Sequence, residues 1–442
     1  MTSHLQIRLI TKQPDYAIPD TTLTVPDTVT TKELNQLVNS LLISKETGEN
    51  TSEEFDFLLL GELIRSPLTE HLELKNIVTD QVHEIEYFVK YPAPSPEISL
   101  THNDWVSSVN AIDKWILSGC YDATVQIWGT DGSHKLTIPG HTAPVKAVAW
   151  LKCDVTKSFI QTEFSLHFST QEDNESTFIS TSHDETAILW QWNQQTNAVD
   201  CIHVCKGHAR SVDCVAVCQA TNRFATGSYD QMLKIWSADN ETENAGGDED
   251  KKRFKADNLK TKIKTPLRTL SGHTDGISGV QWIDTSEVAT CGLDCTLRIW
   301  DVELGGLKHQ LNGSKAFLSI SYSPITKLIV SGSSDRHVRL WDPRVKDGSL
   351  VKSVYSSHDL WITSVAWSPV DEYQFVSGSM DFMVKLWDTR SCKTPLFDIS
   401  GHEDKVFAVD WSLKDYIISG GADNHIKLYK FQEKSQSEGM ES

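Results

Sequence analysis

TGSYDQMLKIW, residues 226–236, is one of seven segments in the chain that share the pattern [ST]-x-x-x-D-x5-[WY]. The others are SGCYDATVQIW (118–128), STSHDETAILW (180–190), TCGLDCTLRIW (290–300), SGSSDRHVRLW (331–341), SGSMDFMVKLW (377–387) and SGGADNHIKLY (419–429). Their internal spacing does not vary, and recurrence at a fixed spacing is the mark of a repeat architecture. Around the 226–236 segment, alternating apolar residues predict three strands, over 212–217, 224–227 and 232–236. Asp230 then falls in the tight turn between the second and third strands, where a carboxylate can accept backbone N–H groups.

Most repeats also carry an upstream histidine, usually in a Gly-His pair. His102, His208, His273, His358 and His402 precede their aspartates by 20 to 23 residues. His141 precedes Asp184 by 43 residues, because an insertion separates them. The fifth repeat has no such histidine, and its register falls at Gly313 and Ser314. These residues resemble the WD40 family over about residues 97–431. The resemblance implies a mainly β fold, a seven-bladed β-propeller. In that family the loop histidine bonds the turn aspartate, a Ser/Thr hydroxyl meets the second ring nitrogen, and the Trp indole meets the hydroxyl. The sets implied here include His102, Ser118, Asp122 and Trp128; His208, Thr226, Asp230 and Trp236; His273, Thr290, Asp294 and Trp300; and His358, Ser377, Asp381 and Trp387. Burying such groups is tolerable because each has a partner, with a net worth of about 0.5–1.5 kcal/mol per bond.

A Ser/His/Asp set invites a hydrolase reading. Catalysis needs one tuned site, whereas this set recurs six times, and no G-x-S-x-G elbow accompanies it. P-loop, G-x-G-x-x-G and H-E-x-x-H patterns are lacking too, so the expectation is a protein that is not an enzyme and needs no cofactor. One blade cannot bury both faces of its sheet, so the ring must close. The tail after Tyr429, FQEKSQSEGMES, is too polar to close it, which assigns the missing outer strand to residues 97–100.

Residues 1–91 form a small α+β domain ahead of the repeats. The pattern predicts strands over 5–10 and 22–25, a helix over 31–44, and strands over 55–60 and 83–87. Thr30 and Glu33 form a capping box, and Leu34, Leu37, Val38, Leu41 and Leu42 share one helical face. That order fits a ubiquitin-like β-grasp. With 15 acidic against 7 basic residues over 1–92, it reads as an acidic docking module. Residues 92–96 read as a stiff linker and 432–442 as a polar tail. Two insertions interrupt the repeats, 152–176 and 238–265; composition predicts that the second is disordered. Its KKRFK stretch suits a nuclear localisation signal or a solvated loop equally.

Net charge of −19, from 41 basic and 60 acidic residues, disfavours broad neutralisation of phosphates, so little direct nucleic-acid binding is expected. The run of apolar residues needed to cross a membrane is missing, and the N-terminus lacks the marks of a signal peptide. Nine scattered cysteines, three pairs of them at C-x3-C spacing, suit free thiols in a reducing compartment.

FDFLLLGELIR and EIEYFVKY, then NDWVSS, SGSSDRHVRLWDPRVKDGSLV and SCKTPLFDISGHEDKV, sharpen the resemblance. Together they resemble the WD-repeat ribosome-biogenesis family with an NLE-type ubiquitin-like domain, which joins Pescadillo and the block-of-proliferation protein in the PeBoW complex. The resemblance implies nucleolar and nucleoplasmic work on pre-60S particles, toward mature 28S and 5.8S ribosomal RNA. It further implies that the propeller binds the block-of-proliferation protein and that the ubiquitin-like domain docks the AAA ATPase Midasin. The family places an acidic residue, usually glutamate, on Midasin's metal ion. The matching position is Asp80, a hard oxygen donor one methylene shorter, or else a solvated loop charge.

Trp105, Tyr121, Tyr229, Trp361 and Met380 precede first strands or turn aspartates and are expected on one rim. There they form a protein-binding patch or lie partly buried under loops. An alternative function rests on Trp341-Asp342-Pro343-Arg344 and Trp387-Asp388-Thr389-Arg390. Both match the W-D-x-R box of WD40 substrate receptors in cullin-RING ubiquitin ligases.

Overall fold

Each repeat carries three alternating apolar stretches separated by turns, and each stretch forms a strand. In the computed structural model, which describes residues 4–43, 53–73, 81–152, 175–239, 262–344 and 351–431, the 226–236 repeat builds Val212–Cys218, Arg223–Ser228 and Met232–Ser237. Arg268–Ser271 adds the fourth strand, all antiparallel. Seven sheets built on this plan follow one another along the chain, six of four strands and the second of five. Their first strands touch in sequence, and that of the seventh sheet, Val406–Leu413, touches that of the first, Val106–Ile112. The set therefore closes in a ring.

Two details of the repeat follow from this packing. Ala123, Glu185, Gln231, Cys295, Arg336, Phe382 and Asn424, each directly after a turn aspartate, all have positive φ. The aspartate makes that left-handed turn tolerable by accepting the N–H two residues on, as Asp230 does from Met232 at 2.9 Å. The glycine beside it serves close approach: a Cβ on Gly227 would come within 2.5 Å of Ile277 in the next sheet.

The N-terminal domain comprises β1 (His4–Ile10), β2 (Thr22–Pro26), α1 (Thr31–Ile43), β3 (Phe55–Leu59), β4 (Glu62–Leu63), α2 (Leu68–Glu73) and β5 (His83–Val89). The sheet order is β2-β1-β5-β3-β4, with β1 and β5 parallel at its centre. The capping box forms in both directions: Thr30 N donates to Glu33 at 2.8 Å, and Glu33 N donates to Thr30 Oγ1 at 3.4 Å. Leu34 and Val38 bury fully against Ile7, Phe57, Ile85 and Tyr87. Both β4 and α2 go beyond the sequence reading, being too short to show a period.

The ring closes as expected but with a longer strand. β6 (Ser95–Thr101) pairs antiparallel with His425–Lys430, so the strand takes in Ser95 and Pro96, which the sequence reading gave to the linker. Tyr91 is pinned as well, its hydroxyl donating to Asp371 at 2.7 Å. Nor does the second insertion run unstructured to residue 265. Lys262–Lys264 pairs in parallel with His203–Cys205, because the outer strand of the second sheet offers unpaired backbone groups there. The KKRFK stretch lies outside the described residues, as does most of the first insertion. All described cysteines are free thiols.

Candidate functional site

In the third repeat His208 Nδ1 lies 2.8 Å from Asp230, its Nε2 lies 2.8 Å from Thr226, and the Trp236 indole donates to that hydroxyl at 2.8 Å. His273, Asp294, Thr290 and Trp300 repeat this arrangement at 2.7–2.9 Å, and His358, Asp381, Ser377 and Trp387 at 2.7–2.8 Å. So do His141, Asp184, Ser180 and Trp190. Burial works to raise the Asp230 pKa, but the hydrogen bonds from His208 and from the Ala209 backbone outweigh it and hold it at about 2. With both nitrogens of each ring engaged inside its own sheet, these groups are committed to structure.

The first repeat departs from the expected set. His102 Nε2 meets Ser118 at 2.9 Å, but Asp122 gives its carboxylate to Thr124, at 3.0 Å from N and 2.6 Å from Oγ1, and makes no hydrogen bond to His102. The Trp128 indole makes none to Ser118 either; its ring packs edge-on against His134, with centroids 4.5 Å apart. Neighbouring aromatic packing thus displaces the indole here. Burial pushes the His102 pKa down to about 4, so its ring is neutral. In the fifth repeat Arg339 stands in for the missing histidine, reaching Asp335 at 3.0 and 2.5 Å, while Ser314 contributes a 3.4 Å contact.

What these sets leave free is the mouth of the ring. Tyr121, Tyr229, Trp361 and Met380 line one cavity of about 1190 Å³. Trp105 borders it, its ring 5.4 Å from Tyr121 and 5.7 Å from Phe407. Trp361 is 50% exposed, Tyr229 44% and Trp105 41%. Tyr121 and Met380 are half-buried. Phe407 was missed by the sequence reading; its position directly after Val406 on the seventh first strand is the counterpart of the residues facing the channel in other repeats. Charge at the mouth is mixed, with Lys146 donating to the Tyr121 hydroxyl at 3.0 Å, Arg210 5.7 Å over the Tyr229 ring, and Asp213 nearby. Exposed aromatics amid both signs of charge suit a protein surface better than a phosphate backbone.

Asp80 lies outside the described residues, on the segment between α2 and β5. The two W-D-x-R arginines differ sharply. Arg344 is 58% exposed and bonds only Asp342 among the described residues, whereas the Arg390 side chain is 12% exposed and covered by the N-terminal domain.

Comparison with known proteins matches residues 5–72 to the NLE (NUC135) domain. Six segments, 95–129, 199–237, 264–301, 305–342, 348–388 and 393–430, match the WD domain, G-beta repeat. The "Ribosome biogenesis protein WDR12 homolog" of Ixodes scapularis is 50% identical over 97% of this chain and 99% of its own length. Its namesakes of Aedes aegypti and Culex quinquefasciatus are 46% and 47% identical, each over 96% of this chain and 95% of their own. The chain belongs to this WDR12 family. The segment around Trp190, outside the six matches, is the repeat that the 152–176 insertion splits, though its hydrogen bonds match those of its neighbours. Family membership covers the N-terminal domain and the ring alike, so the two go together as one protein rather than as a chance fusion.

Proposed function

We propose that this protein is a non-catalytic scaffold of large-subunit ribosome biogenesis, working in the nucleolus and nucleoplasm on pre-60S particles toward mature 28S and 5.8S ribosomal RNA. Its ring is read as a seven-bladed propeller and its N-terminal sheet and helix as a ubiquitin-like domain. The propeller binds the block-of-proliferation protein, in a complex that also holds Pescadillo; the ubiquitin-like domain docks Midasin, with Asp80 completing the coordination of that ATPase's metal ion.

The observation that carries this reading is similarity across nearly the full chain, in the same domain order, to proteins named for ribosome biogenesis. The aromatic mouth of the ring supports a role in protein recruitment. The internal use of the His, Asp and Ser/Thr groups supports the lack of a reaction. The cullin-ligase alternative draws on Arg344 and Arg390, and burial of Arg390 speaks against it for the sixth blade. Binding of the full chain to the isolated metal-site domain of Midasin tests the docking. Asp80→Ala is expected to abolish it and Asp80→Glu to retain it; unchanged affinity in Asp80→Ala removes Asp80 from the metal.

A further inference from the structure

The face of the N-terminal sheet turned away from α1 is not solvated. Along β3 and β5, Phe57, Leu59, Ile85 and Tyr87 point to the domain's own core, while Asp56, Leu58, Glu86 and Phe88 point the other way. Leu58, Leu63 and Phe88 are at most 3% exposed, packed in one cluster with Leu386, Leu396, Trp411 and Phe431 of the sixth and seventh blades. All five residues of β3 are buried, the pattern of a strand covered on both faces.

Arg390 sits at the centre of this contact. Its guanidinium lies 4.0 Å over the Phe88 ring and 4.5 Å over Tyr373, so two aromatic rings, one from each domain, flank it. Its Nε and one terminal nitrogen fork onto Asp388 at 2.9 and 2.6 Å, and the other terminal nitrogen reaches Glu86 across the joint at 3.3 Å. Asp388 is wholly buried, which fixes the arginine from behind. Around this pin run Arg65 to the Leu396 carbonyl at 3.2 Å, Lys393 to Glu62 at 3.3 Å, and Tyr91 to Asp371 at 2.7 Å. Gly61, at φ +75°, lets the β3–β4 turn approach closely, since a Cβ there would sit 3.2 Å from the Arg390 carbonyl.

We infer that the N-terminal domain is held in one fixed orientation on the sixth blade, with Arg390 as the pin. The W-D-x-R arginine of that blade thus serves an intramolecular joint. The joint consumes the Asp56–Leu58–Glu86–Phe88 face, so a partner of the N-terminal domain must use its helix side or its loops. Whatever pulls on or orients the N-terminal domain therefore acts directly on the propeller, and the tether of residues 92–94 carries little of the load. This coupling stands whether or not the partners proposed above are correct.

Distance distributions between spin labels attached by cysteine-independent chemistry at Ser40, on the exposed face of α1, and Leu304, on the fourth blade, test it in the full chain. A single narrow distribution is expected for the unmutated protein and for Lys393→Ala. Arg390→Ala is expected to broaden it at least twofold. Phe88→Ala, which cuts the same contact without leaving Asp388 unpaired, is expected to do likewise while the propeller keeps its own thermal transition. A broad distribution in the unmutated protein would overturn the fixed joint. Narrow distributions in both Arg390→Ala and Phe88→Ala would overturn the pin.

Discussion

Arg339 bonds the turn carboxylate of Asp335 through both terminal nitrogens, at 3.0 and 2.5 Å, where five of the other repeats bring a histidine, itself held by a hydroxyl, to the same task. Burial works to raise the Asp335 pKa, but the Arg339 hydrogen bond and charge outweigh it and hold the carboxyl at about 2. The arginine side chain is 13% exposed and the aspartate 17%, so the pair is shielded from salt more than a surface bridge is. Arg339→Ala is expected to lower stability by about 2 kcal/mol at neutral pH, read by urea denaturation. Because the carboxyl's folded pKa is depressed, that stabilisation is present above about pH 4. It fades as the pH falls toward 2, so the gap between Arg339→Ala and the unmutated protein should close there.

The unequal tetrads give a second comparison. Asp230 holds His208 at 2.8 Å and two backbone N–H groups, those of Ala209 and Met232, whereas Asp122 has no bond to its histidine. Asp230→Ala strands buried donors and should cost about 3 kcal/mol, while Asp122→Ala should cost about 1 kcal/mol. Equal losses in equilibrium unfolding would contradict the difference drawn between the two repeats.

His102 gives a pH signature of opposite chemistry but the same sign. Its folded pKa is pushed down by burial to about 4, below the ordinary value near 6.5. The unfolded chain therefore binds the proton first as the medium is acidified. Stability from this group is intact above about pH 6.5 and declines by roughly 3 kcal/mol on the way to pH 4. An NMR titration should find the His102 ring still neutral at pH 5.5; a midpoint near 6.5 would contradict its burial.

Much of this was legible in the residues, and the exceptions have physical causes. Seven invariant turn segments determined the strands, and the Thr30–Glu33 box marked the start of α1 to the residue. The fifth repeat's substitute was not legible, since Arg339 comes from the strand after the turn and not from the loop before it. The joint leaves a trace in the consecutive apolar residues Phe57, Leu58 and Leu59, which alternation alone would not produce, but such a run cannot name what covers its second face. Phe407 stayed hidden because channel-facing positions follow from how the strands are set around the ring, which no single repeat displays. The short strand Lys262–Lys264 carries one apolar residue, too few for any period.

The mouth aromatics should separate binding from stability. Trp361 is half exposed, so Trp361→Ala is expected to change stability by less than about 1 kcal/mol. If it anchors a partner, the same change should weaken retention of the propeller-bound protein at least tenfold, a loss of about 1.4 kcal/mol or more. Trp105→Ala should weaken it too, having also released the Tyr121 and Phe407 rings. Binding unchanged in both variants would move the interface away from the mouth.

The claim that recruitment into ribosome assembly is the protein's work is met most directly by affinity purification of the tagged full chain from nuclear extract, with the bound proteins identified by mass spectrometry. The account predicts Pescadillo, the block-of-proliferation protein, Midasin and large-subunit precursors together. Recovery of a cullin adaptor with no pre-ribosomal protein would contradict it.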